Sequence, residues 1–346
     1  MSAWSRLRAS EAYADLLAVS ERLGRDPLQV QGPGGNTSLK ENGAMWVKAS
    51  GMWLAETRSR DIMVPVDAGA LTAALDDDAP DTAFVPDGEH ASGLRPSIET
   101  SFHAALPWPV VIHTHCVATI AAAVRADAET VVAEKLGDLG ASFVPYVKPG
   151  RDLTRAILAR TRPTTRIVVL GNHGLICCGA DATSAEALLR KVSARFKPGT
   201  LPETRTIDPD LVDQLAGTDW MPAPEQAQPL ARDPVQLGLA GGATLYPDHL
   251  VFLGPGVAIA DDDDVQIATE RAARLAPPRK LLLFPGRGAA IPKDSDAGVK
   301  ALARALGDVV SRIAPGAEIN RLTQAQEADL LNWDAEAYRR SLSAAP

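Results

Sequence analysis

Along the first two hundred positions the apolar residues switch between helical and strand spacing. From residue 5 to 23, Leu7, Leu16, Leu17 and Leu23 stand among Ala, Glu and Arg, with Gly24 and Pro27 after them. That pattern predicts an amphipathic helix with a stop signal. Gln31-Gly-Pro-Gly-Gly35-Asn36-Thr37-Ser38 reads as a loop that only glycine-rich sequence tolerates. Alternation predicts strands over residues 44–49 and 62–66, separated by a small-residue turn at Ser50-Gly51. A short helix follows over residues 70–75, then an acidic loop beginning at Asp76.

Pro96 and Ser97 are helix-start signals that place Glu99 in the first turn of a helix reaching Leu106. Val110-Val111-Ile112 is an apolar, β-branched run, so His113 and His115 fall at the end of a buried strand. Helices are predicted over residues 117–124, 128–136 and 153–158, and a short strand over residues 142–147. Arg166-Ile-Val-Val-Leu-Gly and Leu175-Ile-Cys-Cys form a hairpin across Asn172-His173-Gly174. A long helix runs over residues 184–196, with Thr183 and Glu186 in capping-box register.

The pattern then changes. Prolines without periodicity predict a linker or irregular meander over residues 201–233. The expected organisation is therefore residues 1–200 as one α/β domain and residues 234–346 as a smaller α/β domain. In the latter, strands are predicted over residues 249–253 and 280–284, an acidic turn over residues 261–264, and terminal helices. The last of these has Thr323 and Gln326 in capping-box register.

Composition narrows the class. The 346 residues are 46% hydrophobic and 23% charged, enough for a large core and more than one ordinary domain. A net charge of −8 argues against nucleic acid or an anionic membrane as partner. There is no run of eighteen apolar residues, and the first residues, Met1-Ser-Ala-Trp-Ser-Arg, lack a signal-peptide pattern. Three cysteines, two of them adjacent (Cys177 and Cys178), read as buried reduced thiols. A cytoplasmic protein is expected.

Chemistry concentrates around the histidines. Side chains alternate along a strand, so His113 and His115 point the same way and form half of a metal site. His173, at a tight turn between two apolar strands, is the candidate third ligand. Three neutral imidazoles with an open position suit a catalytic divalent ion, most often zinc. A hydrogen-bonded structural histidine is the competing reading for each of them.

Several motifs now fall in one order: Gly35-Asn36-Thr-Ser, Ser50-Gly51, Pro96-Ser97-Ile-Glu99, His113-Thr-His115, Pro145-Tyr146 and Asn172-His173-Gly174-Leu-Ile. Together they resemble the class II aldolase/adducin family, whose members include fuculose- and rhamnulose-1-phosphate aldolases. The wording of the glycine loop and of Trp-Val-Lys-Ala-Ser-Gly is most similar to the aldolase part of long rhamnulose-phosphate aldolase/dehydrogenase fusions. No Gly-x-Gly-x-x-Gly follows a strand in the tail, so a dehydrogenase region is not expected here.

The resemblance implies an αβα sandwich of three layers, with His113, His115 and His173 binding Zn2+ or another divalent metal such as Mn2+, Co2+ or Fe2+. It implies Glu99 as the base and Tyr146 as an acid supplied by a neighbouring subunit. Gly35, Asn36, Ser50, Gly51 and Ser97 would cradle a phosphate through backbone N–H groups and hydroxyls. The assembly implied is a homotetramer with sites between subunits. Ile98 departs from the pattern, standing where short aldolases usually place a second hydroxyl residue. Arg95 is the nearby cation that can replace the lost interaction.

The function implied is a metal-dependent lyase that cleaves a C–C bond in a ketose phosphate or related hydroxy-ketone. Sugar-phosphate epimerases, dehydratases and decarboxylases share the ligand set and stand as the alternative. An adducin-like assembly module without catalysis is a different class; the intact ligands argue against it. Tyr246 and His249 in the tail read as packing or surface residues.

Overall fold

The computed structural model describes residues 1–77, 79–90, 92–196 and 206–333. Residues 197–205, which include the first part of the expected linker, and the end of the tail from 334 onward lie outside the described residues. Two compact units emerge. One is Met1–Thr119 with Ala128–Phe196; the other is Ile120–Asp127 with the described part of Lys197–Pro346.

The first unit opens with two helices where one was predicted: α1 (Ala3–Arg8) and α2 (Glu11–Gly24). Ser10 breaks the run because its hydroxyl accepts from the Tyr13 N–H and starts a new helix. The expected loop ends early. Asn36–Glu41 is strand β1, followed by β2 (Ala44–Lys48), β3 (Met63–Asp67) and helices α3 (Ala68–Ala73) and α4 (Thr100–Ala105). Next come β4 (Val110–Thr114), α5 (Val117–Ala123, of which the part from Ile120 on belongs to the second unit), α6 (Ala128–Leu136), β5 (Ser142–Val144) and α7 (Arg151–Arg160). The unit closes with β6 (Ile167–Leu170), β7 (Gly174–Gly179) and α8 (Ala182–Arg195). The cap of α8 is Asp181, which accepts from the Ser184 N–H, rather than Thr183. Glu186 is instead drawn to Arg22 (2.6 Å) and Arg190 (3.0 Å).

Among the described residues the sheet has seven strands in the order β3-β2-β1-β4-β7-β6-β5, antiparallel except for the β5–β6 pair. Period-two alternation divides its faces. Val111, Val168, Ile176 and Cys178 point toward Phe102 and Leu106 at α4 and Leu153 and Ile157 of α7. Burying each large apolar side chain there contributes about 1.5–3 kcal/mol. The opposite face carries α2 and α8; the hydroxyls of Ser20 on α2 and Thr37 on β1 meet at 2.7 Å. The result is the α/β three-layer sandwich that the family resemblance implies.

The second unit is a smaller α/β region, and in it three expectations change. The expected meander contains α9 (Pro209–Ala216), β8 (Trp220–Pro222) and α10 (Pro229–Arg232), and α11 (Pro234–Ala240) starts directly after it. Pro209, Pro229 and Pro234 sit at first-turn positions of these helices, where a missing N–H costs nothing. The predicted strand over residues 249–253 is helix α12 (Pro247–Leu253), with every residue buried. A five-residue apolar run cannot distinguish a strand from an all-round buried helix, and Pro247 at its start favours the helix. After β9 (Ala258–Ile259), α13 (Val265–Ala273) and β10 (Leu282–Phe284) comes an unpredicted strand, β11 (Gly288–Pro292). The four strands of this sheet run β8-β11-β10-β9. Helices α14 (Ala297–Val310) and α15 (Gln324–Leu331) follow, and Thr323 with Gln326 forms the expected capping box. Among the described residues no helix is long and apolar enough to cross a membrane.

Candidate metal centre

The site forms where the α4 layer meets the middle of the first sheet. β1 and β4 are paired so that Asn36 lies opposite His113. Both side chains therefore sit on the face that α4 covers. Glu99 is the residue that caps α4, though its own side chain makes no capping hydrogen bond. Its carboxylate instead reaches the imidazoles, with Oε2 3.4 Å from His113 Nε2 and Oε1 3.3 Å from His173 Nε2.

The three histidines make a nearly equilateral triangle, with ring centroids 5.0–5.2 Å apart. One ligand nitrogen from each lies within 4.8 Å of the others, and all three residues are buried. Two glycines allow this convergence. A Cβ on Gly174 would lie 2.4 Å from the Thr114 carbonyl oxygen and 3.3 Å from the His113 ring, so only glycine lets the His173 turn press against the end of β4. Gly35, at φ +62°, meets the His113 carbonyl in the same way from the other side.

Electrostatics suit a cation. Burial holds the His113 ring neutral, well below the usual imidazole range, despite the pull of Glu99. Its Nδ1 donates to the Leu175 carbonyl at 3.1 Å, which leaves the Nε2 lone pair for a ligand. That Nε2 is buried with no hydrogen-bond partner, as is Glu99 Oε1. Burial alone would raise the Glu99 carboxyl. The imidazoles of His113, His173 and His115 and the Asn36 amide outweigh it and hold the carboxyl down to about 2. A buried carboxylate facing three converging imidazoles is a donor set that fits a divalent ion.

The residues expected to cradle an anion gather beside Glu99. Residues 95–97 are laced to residues 48–50: Ser50 N–H donates to the Arg95 carbonyl (3.0 Å), and Ser97 N–H donates to the Lys48 carbonyl (3.1 Å). Those two backbone donors are spent inside the protein. The hydroxyls differ. Ser50 Oγ is buried without a partner, while Ser97 Oγ accepts from Asn36 Nδ2 (2.9 Å) and from its neighbour Glu99 N–H (3.3 Å). Gly51 is buried in a left-handed conformation at φ +76°. Ile98 is half-buried and Arg95 exposed. Tyr146 is half-buried on the segment after β5, its backbone packed against the position of Gly171.

Two functional-looking residues escaped sequence reasoning. Lys48 is fully buried, and its ammonium donates to the carbonyls of Pro33 (2.8 Å) and Met52 (2.7 Å), clasping the two glycine loops together. His103 is fully buried beneath Asn36. The signal that could have found it was spacing: residues 99 and 103 are one helical turn apart and so share a face.

Residues 14–196 match the family described as the class II aldolase and adducin N-terminal domain. An uncharacterized oxidoreductase, YuxG, of Bacillus subtilis (strain 168) is 31% identical over 194 residues, 51% of this chain and 28% of that protein. The chain thus spans under a third of that curated relative's length. The N-terminal class II aldolase domain of a conserved protein from Thermoplasma acidophilum is 25% identical, covering 54% of this chain and 92% of that one, at a TM-score of 0.47. The L-fuculose-1-phosphate aldolase of Thermus thermophilus is 18% identical, covering 55% and 92%, at a TM-score of 0.39. With more than half of its length matched, this chain belongs to the class II aldolase and adducin family.

Proposed function

We propose that the protein is a metal-dependent lyase that splits a C–C bond beside the carbonyl of a ketose phosphate or similar hydroxy-ketone. The observation that carries this reading is Glu99, a buried carboxylate wedged against two of three converging imidazoles. In this reading His113, His115 and His173 hold the ion, with zinc the first candidate. When bound, such an ion supplies Lewis acidity toward the carbonyl and adjacent hydroxyl oxygens.

The protein's own groups then move protons. In the aldol-forming direction Glu99 takes a proton from the carbon beside the carbonyl, and that carbon's electrons attack the aldehyde. The aldehyde oxygen gains a proton as the C–C bond forms, and a phenol is suited to give it. By family resemblance that phenol is Tyr146 of a neighbouring subunit in a tetramer. Cleavage is the same sequence reversed. Ser50 and Ser97 offer hydroxyls to the substrate's anionic end, and the Lys48 ammonium beneath the two loops favours negative charge there.

The test is product analysis after incubating metal-loaded protein with a panel of ketose phosphates. Two smaller carbonyl fragments are expected. An unchanged carbon count would replace the lyase with an epimerase or dehydratase, and release of carbon dioxide with a decarboxylase. Protein that holds no stoichiometric metal and converts none of the panel would overturn the catalytic reading itself.

A further inference from the structure

β1 presents a polar stripe to α4. Asn36, Ser38 and Lys40 are two residues apart, so all three face the same helix, and each finds a partner there. Lys40 donates to the carbonyls of His103 and Leu106 at the far end of α4. Ser38 Oγ lies 2.7 Å from His103 Nδ1, and His103 Nε2 meets Asn36 Oδ1. Asn36 Nδ2 lies 2.9 Å from both Ser97 Oγ and Glu99 Oε2. The chain of contacts runs from strand to helix, back to strand, and then to the carboxylate.

Only one assignment of protons satisfies the whole chain. A side-chain amide has one donor end and one acceptor end. If Asn36 turned its Oδ1 toward Glu99, two oxygen acceptors would face each other at hydrogen-bond distance in a buried site. Its Nδ2 must therefore face the carboxylate, which leaves Oδ1 for His103. His103 must then carry its proton on Nε2 and donate it to that oxygen. Nδ1, left as an acceptor, receives the Ser38 hydroxyl proton. The ring itself is fixed by full burial and by stacking on Phe102, with centroids 4.6 Å apart and planes 23° from parallel.

We infer that His103 is a positioning residue: through Asn36 it pins Glu99 Oε2 and leaves Oε1 as the oxygen presented to the reacting carbon. The burial of Glu99 Oε1 without any hydrogen-bond partner is what this assignment leaves behind. The inference rests on the reading of Glu99 as a base, but the conformation it predicts for Asn36 and Glu99 does not.

The test compares His103→Phe, which keeps the stacking surface and loses the Nε2 donor, with His103→Gln, whose amide can restore that donor. Each is loaded with zinc, its metal content measured, and its crystal structure solved. Turnover is read as exchange of the C–H protons of dihydroxyacetone phosphate in D2O, split into kcat and KM. In His103→Phe, metal content should be unchanged and the Glu99 carboxylate rotated away from its Asn36 contact. Its kcat should fall by about 10–100-fold with KM little altered, and His103→Gln should recover most of the loss. A His103→Phe structure with Asn36 and Glu99 in place, or a loss that His103→Gln does not recover, would overturn the assignment. If the phenylalanine variant does not fold, Ser38→Ala releases the ring tautomer and should reproduce the Glu99 displacement in weaker form; an undisturbed Glu99 there would likewise overturn it. If no variant, nor the native protein, exchanges protons while Glu99 still moves in the crystals, it is the lyase reading that fails and not the positioning role.

Discussion

The two units bury polar groups to different effect. In the first, His113 Nε2 and Glu99 Oε1, both buried without a hydrogen-bond partner, lie where three imidazole rings converge. In the second, buried polar atoms without a hydrogen-bond partner also occur, His249 Nε2 and the Tyr246 hydroxyl among them, but among the described residues no three potential ligands come together there. His249 is fully buried and neutral, yet its Nδ1 accepts from the Leu245 N–H at 3.3 Å and steadies the start of α12. Asp308 is likewise buried, and its charge is met by Arg304 (3.5 Å) on its own helix and by Arg312 (3.2 Å) just past the helix end. Among the described residues His113, His115 and His173 are the group of three that can share an ion. Neither the burial of a histidine nor an unpartnered ring nitrogen marks a site by itself; convergence with other ligands does.

The contrast is broken most directly by removing one histidine from each unit. His113→Ala should lose its metal, a larger effect than the roughly 10–100-fold that losing an outer hydrogen-bond partner costs. His249→Ala should leave metal content unchanged and lower only the melting temperature. Elemental analysis of both purified variants decides it, and equal metal content in the two would end the distinction drawn between the units.

Glu99→Gln sharpens the comparison within the first unit. It keeps a similar shape while removing the base, so metal content should hold while turnover falls by about 10²–10⁴-fold. Gly174→Ala comes next in size. Its Cβ meets the Thr114 carbonyl, and the turn bearing His173 must move, costing about 1–3 kcal/mol of stability by overpacking. Denaturant titration would read that loss, and metal titration should show weakened binding alongside it.

The smallest effect is a slope with pH. Burial, with Lys40 adding and Glu99 opposing, holds His103 down to about 3. Burial also lowers His249, to about 4, with the Gly256 backbone drawing it partly back and Arg321 adding to the drop. Both values lie below the ordinary 6.5, so the unfolded chain binds more protons than the folded one in between. Stability should be full above about pH 6.5 and decline as pH falls toward 3. Between pH 7 and 6 the loss per ring should stay below about 1.4 kcal/mol, the equivalent of one pKa unit. Unfolding midpoints for the native protein and His249→Gln, whose slope should be shallower, would measure it.

Much of the first unit could be read in advance because its strands are apolar and its turns glycine-marked. The histidine strand, the His173 hairpin and the placement of Glu99 at the head of α4 all followed from spacing. β1 could not be read this way. Asn36-Thr37-Ser38 looks like loop chemistry, and only partners distant in sequence make it a buried strand: Thr37 meets Ser20, and Ser38 meets His103. The same reason hid His103, whose role depends on a residue 67 positions earlier. In the second unit, α12 was misread because a short apolar run has no period of its own.

The stripe on β1 has a consequence for anyone redesigning this protein. Asn36, Ser38 and Lys40 grip α4 at its beginning, middle and end, so strand and helix behave as one machined part with Glu99 at its tip. Shifting the carboxylate by an ångström to suit a bulkier substrate cannot be done by editing the helix alone. Strand and helix would have to be transplanted together, as a cassette.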